Sequence, residues 1–176
     1  MSKTGFYLYS NSTVLDAEII EIPYAEDGSN FIIVLPNQPN GLPDLIEFLQ
    51  NNCTELNYAL QQTLGVYTEI VMPKFKITTE IDLMEVYKKI GIMKIFDFKA
   101  SGLTGIIEND SRLTVSKAIQ KSVIEVSEQE TKASSGSVLN GVMLSLPAFH
   151  FRADHPFLFF IKAQKEALFT GTFVSF

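Results

Sequence analysis

The C-terminal stretch limits the fold most. Residues 157–161 read Phe-Leu-Phe-Phe-Ile and residues 168–174 read Leu-Phe-Thr-Gly-Thr-Phe-Val. Each apolar run has the length of one strand, and strands this apolar are typically covered on both faces. The end of the chain is therefore expected in the core rather than as a tail. The 14 Phe and 6 Tyr, clustered with Ile and Val in short runs, favour strand-rich packing. With 176 residues, 46% of them hydrophobic, the chain can bury a sizeable core as one globular domain.

Upstream, Phe6–Tyr9, Val14–Ile22 and Phe31–Leu35 read as strands, the last two joined as a hairpin through an Asp27-Gly28 turn. After a cluster of prolines, Asp44 is the expected N-cap of a helix carrying Leu45, Ile46, Phe48 and Leu49, and a second helix is expected over Thr54–Gln61. Val66–Ile77 is rich in strand formers but contains Pro73, which predicts an edge strand or a bulge. The spacing of Leu83, Met84, Val86, Tyr87 and Ile90 predicts a surface helix over 81–90, ended by Gly91, and Val115–Val126 reads as extended. The fold class is α+β.

Composition excludes several functions. A net charge of -6 leaves no basic stripe for nucleic acid, and the Lys-rich spots at Lys88, Lys89, Lys117 and Lys121 are diluted by carboxylates. No apolar run approaches the roughly 20 residues that span a bilayer, and the opening MSKTGFYLYS lacks the apolar core of a signal peptide. A single Cys, Cys53, forms no internal disulfide and reads as a buried free thiol; with His150 and His155 it makes a poor zinc set, and no cofactor is expected. Asn-x-Ser/Thr patterns stand at Asn11, Asn52 and Asn109, a weak hint of secretion.

Between the strands ending near Val126 and beginning near Phe157 lies EQETKASSGSVLNGVMLSLPAF, which has no clean period and few bulky side chains. Loops this long inside a compact domain are usually functional or disordered. Thr131, Ala133, Ser135 and Ser137 are small and occupy alternate positions. A segment that slides into a sheet as a new strand needs that pattern on the face that meets a packed core.

The stretch KSVIEVSEQETKASSGSV resembles the hinge of the serpin family, and FRADHPFLFFI and FTGTFV follow at the right distance as serpin-like strand motifs. Upstream, VMPKFKI and IGIMKIFDFKASGLTGI are similar to the family in the same order. The resemblance runs over essentially the whole chain. It implies mixed sheets with surface helices and a long exposed reactive-centre loop at about 128–147. A complete serpin is about twice as long, so residues 1–176 are expected to be the C-terminal portion of a single domain whose N-terminal half is missing.

The same resemblance implies function. Serpins offer the loop to a serine protease as bait, the acyl-enzyme forms, and the loop inserts into the large sheet before hydrolysis, distorting the protease. The hinge is expected at Glu128, Glu130, Thr131, Ala133, Ser134, Ser135, Gly136 and Ser137. Counting from Glu128 puts the attacked bond at Leu144-Ser145, and counting back from FRADHPF shifts it by one, with Met143 the alternative residue. Leu in the primary pocket suits chymotrypsin- or elastase-like proteases rather than trypsin-like ones. The expected partner is a serine protease held as a covalent acyl complex, the protein itself is not an enzyme, and the resemblance places it outside the cell. Departures are Glu130 where inhibitory members usually carry Gly, Lys132 where an acid is common, and Gln120 in place of a frequent His. Glu130 favours the alternative of a non-inhibitory serpin fragment acting as a binding or structural module. A hydrolase built from Ser145, His150 and Asp154 is disfavoured, because the three crowd within a short stretch and no Gly-x-Ser-x-Gly elbow precedes the Ser.

Overall fold

The computed structural model describes residues 1–24, 28–98, 102–103, 113–127, 149–164 and 166–175. The chain forms two compact units, Met1–Lys74 with Ser127–Phe176, and Phe75–Val126.

The first unit is built on strands β1 (Ser2–Ser12), β2 (Ala17–Pro23), β3 (Ser29–Pro36), β4 (Leu64–Val71), β7 (Phe149–Arg152), β8 (Phe157–Ala163) and β9 (Glu166–Phe173). They make one seven-stranded sheet in the order β7-β4-β1-β2-β3-β8-β9. Every pairing is antiparallel except β4 with β7. Two helices, α1 (Leu42–Asn51) and α2 (Cys53–Gln61), cover one face. There Ala17, Ile19, Ile32, Val34 and Leu158 pack with Leu15 against Leu42, Leu45 and Ala59. Residues of opposite parity, among them Ile20, Phe31, Ile33, Phe157 and Phe159, are buried on the other face. Each such side chain contributes roughly 1.5–3 kcal/mol through burial.

Several local expectations shift. Helix α1 starts before Asp44, with Gly41 as N-cap and Pro43 in the first turn. Proline fits there because its missing N–H has no helical partner to lose. Asp44 instead sits inside the first turn, where its charge faces the positive end of the helix dipole. Val14 belongs to the turn between β1 and β2 rather than to a strand. The Asp27 turn residue lies outside the described residues; its neighbour Gly28 has φ +61°, which favours glycine.

Pro73 divides the 66–77 stretch instead of bulging it. β4 stops at Val71, and β5 (Phe75–Asp82) begins a different sheet, since proline has no N–H to give a ladder. β4 is no edge strand either, as it lies between β1 and β7. The C-terminal strand departs from its expectation: β8 is buried over residues 157–159 and half-buried beyond, but in β9 Leu168 and Phe169 are exposed, as is Val174 just after it. Among the described residues β9 pairs only with β8, so it is an edge with one covered side, where Phe173 is buried beside Phe157. Cys53 is exposed rather than buried, because it opens α2 at the corner between the helices instead of lying in the packed stripe of Leu56, Ala59 and Leu60.

The second unit pairs β5 with β6 (Ile119–Val126), antiparallel from Phe75↔Val126 to Asp82↔Ile119. Helix α3 (Met84–Lys89) is shorter than its sequence pattern, because Ile81 and Asp82 continue the strand ladder opposite Gln120 and Ile119. The Asp82 carboxylate accepts from Met84 N–H at 2.9 Å at the helix start. Gly91, at φ +89°, follows its end. A 3-10 turn at Lys94–Phe96 brings Phe96 to 6.3 Å from the Tyr87 ring, and Val115 N–H bonds to the Ile95 carbonyl at 2.9 Å. Among the described residues no helix is long and apolar enough to cross a membrane.

Candidate functional site: the two anchors of the long loop

The reactive-loop residues read from sequence, Glu128, Glu130, Thr131, Ala133, Ser134, Ser135, Gly136, Ser137, Met143, Leu144 and Ser145, lie outside the described residues. The structure describes the strands on either side of them, β6 before and β7 after.

β6 has a neighbour on one side only: among the described residues β5 pairs with it and no strand occupies its other edge. The register sorts this strand pair into two faces. Phe75, Ile77 and Ile81 share one with Ile124 and Val126; Lys76, Glu80 and Asp82 share the other with Lys121 and Glu125. On the charged face Lys76 Nζ meets Glu125 Oε2 at 2.8 Å. That hydrogen bond, together with the carboxylate's charge, raises the Lys76 pKa above its ordinary value. Both groups are largely exposed, so the pair contributes little to stability. Gln120, at a family departure, is exposed and donates to Ser122 Oγ at 3.3 Å.

β7 is only four residues long but is held from several directions. Its ladder with β4 runs Thr68↔Phe149 to Val71↔Arg152, and Ala153 N–H extends it to the Val71 carbonyl at 2.8 Å. Phe151 is wholly buried. His150 Nδ1 donates to Glu69 Oε2 at 2.9 Å, and Glu69 Oε1 accepts from Ser2 Oγ at 2.9 Å. The Phe149 ring lies 4.4 Å from that of Tyr9, whose hydroxyl donates to Glu18 Oε1 at 3.0 Å. Burial first, and the Glu18 charge and hydrogen bond second, push the Tyr9 pKa well above the ordinary tyrosine value. Beyond β7, His155 Nε2 donates to the Pro36 carbonyl at 2.6 Å and Nδ1 faces Asp154 Oδ1 at 2.9 Å, which ties the entry of β8 to the end of β3.

Sequence reasoning missed Tyr9, Glu18 and Glu69 as parts of this anchor. Each sits in an ordinary strand, and only the pairing of β1 and β4 with β7 reveals its role. His150 and Asp154 go to different partners, Glu69 and His155, so their contacts give no support to a hydrolase relay. Among the described residues no group of three or more His, Cys, Asp or Glu is placed to hold a metal ion.

A family model described as serpin (serine protease inhibitor) matches residues 1–176. The chain belongs to the serpin family. Antichymotrypsin-2 of Bombyx mori is 39% identical over 176 residues, covering 98% of this chain and 46% of the relative. Antitrypsin of the same species is 35% identical over 179 residues, covering 99% and 45%. The crystal structure of Serpin48 from Tenebrio molitor, described as a highly specific serpin, matches with a TM-score of 0.73 at 30% identity, over 100% of this chain and 45% of that one. The chain thus spans about half the length of the serpins it matches, and its mixed sheets and few helices form part of a serpin fold.

Proposed function

We propose that this chain is the C-terminal portion of an extracellular inhibitor that traps serine proteases of chymotrypsin-like or elastase-like specificity as a suicide substrate. The observation that carries the reading is an open strand edge followed at once by an insertable segment. β6 is paired on one side only among the described residues, and Thr131, Ala133, Ser135 and Ser137 alternate just beyond it. In this reading the protease attacks the Leu144-Ser145 bond and is left as an ester on the Leu144 carbonyl. The stretch from Glu128 then adds to β6 as a strand, carrying the protease with it. About a dozen added backbone hydrogen bonds, at roughly 1 kcal/mol net each, are enough to distort an oxyanion hole. Every ~1.4 kcal/mol of transition-state stabilisation lost slows deacylation tenfold. The catalytic groups belong to the protease; this chain supplies bait and sheet. The names of the two Bombyx mori relatives support protease inhibition, and antichymotrypsin-2 accords with an apolar bait residue.

A second reading, a non-inhibitory serpin fragment, is favoured by Glu130, a charged side chain that has to enter the sheet early in insertion. One experiment separates the two. The chain, and a version extended upstream to restore the missing half, are incubated with chymotrypsin and run on a denaturing gel. A covalent adduct is the expected result, and clean cleavage near Leu144 without adduct would refute trapping.

A further inference from the structure

The corner between α1 and α2 reads Asn52-Cys53-Thr54, and all three residues are exposed, as is Asn51 before them. Asn52 Nδ2 donates to the Phe48 carbonyl at 3.0 Å, at the end of α1. A carbonyl only accepts, so the nitrogen of the amide, not its oxygen, faces Phe48. That bond needs one of the two N–H groups on Nδ2. The other is free to be replaced by a sugar while the first keeps the amide fixed, and the exposed corner has room for a bulky hydrophilic group. The other described Asn-x-Ser/Thr pattern is placed differently. Asn11 lies within β1 opposite Glu18, and the Ser12 hydroxyl after it accepts from Leu15 N–H at 3.2 Å. The third, at Asn109, lies outside the described residues.

We infer that Asn52 is an N-glycan acceptor and that the glycan screens the exposed thiol of Cys53 beside it. The donor is a lipid-linked oligosaccharide diphosphate: Asn52 Nδ2 forms a bond to the anomeric carbon, the bond from that carbon to phosphate oxygen breaks, the lipid diphosphate leaves, and one amide proton passes to a base. The inference rests on the extracellular reading in one respect, because only passage through the secretory lumen brings this donor. An oxidising lumen also gives an exposed single cysteine the chance to form disulfides between chains, which a neighbouring glycan obstructs.

The test expresses the chain in eukaryotic cells behind a cleavable secretory signal and scores whatever chain has lost that signal, whether retained or released. Peptide N-glycosidase converts a glycosylated Asn to Asp, read by peptide mass. Conversion at Asn52 is expected in the parent and in Cys53→Ser, and its loss in Asn52→Gln and Thr54→Ala. A polymer-tagged maleimide is expected to label Cys53 severalfold faster after deglycosylation. An unconverted Asn52 in signal-cleaved chain overturns the acceptor, and equal labelling rates overturn the screening. Since the signal guarantees entry to the lumen, neither failure counts against the extracellular reading, which is checked separately from the location of the untagged protein.

Discussion

Gly171 gives the sharpest test of the packing described above. It lies in β9 opposite Phe159 of β8. A Cβ added there would stand 2.4 Å from Phe159 Cζ and 2.9 Å from its Cε1. Carbon atoms rest comfortably at about 3.5–4.0 Å, so the ring would have to retreat by about 1 Å. It has little room to do so: Phe159 is 1% exposed and its ring packs 5.6 Å from that of Phe31. Overpacking of this kind costs about 1–3 kcal/mol, which lowers the folding constant by roughly 5-fold to 150-fold. Gly171→Ala is therefore expected to lower the urea midpoint by about 1 M at an ordinary slope, with the slope itself unchanged. The chain has no Trp, so unfolding is followed by far-ultraviolet circular dichroism at fixed protein concentration. Phe159→Leu, which shortens the obstructing ring, is expected to recover part of the loss when combined with Gly171→Ala. An unchanged midpoint in the single variant, or strictly additive losses in the double one, would refute the argument.

Four further outcomes follow from other parts of the molecule. Leu144→Arg is expected to move adduct formation from chymotrypsin to trypsin, by at least tenfold in rate, on denaturing gels of the upstream-extended protein. Ala133→Glu in the same protein, by putting a carboxylate on the parity that has to face a packed core, is expected to abolish the adduct while leaving loop cleavage intact. Tyr9 holds its proton more tightly folded than unfolded, so its contribution is complete below the ordinary tyrosine value of 10.0 and is lost as pH rises above it. Tyr9→Phe is expected to flatten the alkaline fall of stability in denaturant titrations, though not entirely, because burial also raises the pKa of Tyr7. Among the described residues β6 and β9 each have a neighbouring strand on one side only, which predicts that the 176-residue chain associates in sedimentation experiments, whereas the version extended upstream runs as a monomer.

Elements whose apolar pattern has one dominant period are legible in the amino-acid sequence alone. Phe31–Leu35, Thr54–Gln61 and Phe157–Ile161 form β3, α2 and β8 with small boundary changes. Local pattern misleads where tertiary context decides. Ile81 and Asp82 fit a helical spacing, but partners across the ladder at Gln120 and Ile119 hold them extended. Leu168 and Phe169 are as apolar as their counterparts in β8, yet nothing in a local run says that β9 is an edge. Cys53 reads as buried from residue type alone, and its place at a helix corner is a property of the chain's path. The serpin family is legible from five ordered motifs, whereas the proposed loop, read from its lack of period and its alternating small residues, lies outside the described residues. Its distal anchor is not legible, because Tyr9 and Glu69 reach β7 from strands distant in sequence.

The two anchors also differ in a way that gives the proposed mechanism a direction. After cleavage at Leu144-Ser145, one loop fragment remains on β6 and the other on β7. The fragment on β7 continues from a strand pinned by the buried Phe151, the His150–Glu69 contact and the Phe149–Tyr9 pair. To leave its sheet it would have to give up the β4 ladder and expose Phe151, a burial worth about 1.5–3 kcal/mol before any hydrogen bond is counted. The fragment on β6 continues from a strand whose other edge no strand occupies among the described residues, and an edge of that kind can template an added strand. In the proposed mechanism the side that keeps the acyl bond is therefore the side that inserts, and the side that carries Ser145 stays behind on the anchored β7. Loosening that anchor with Glu69→Ala is expected to leave the bait bond and its cleavage rate nearly unchanged while releasing β7, detected as faster proteolysis at Phe149–Arg152. Equal protection of those residues in the variant and the parent would show that the ladder and Phe151 hold the strand without help from His150.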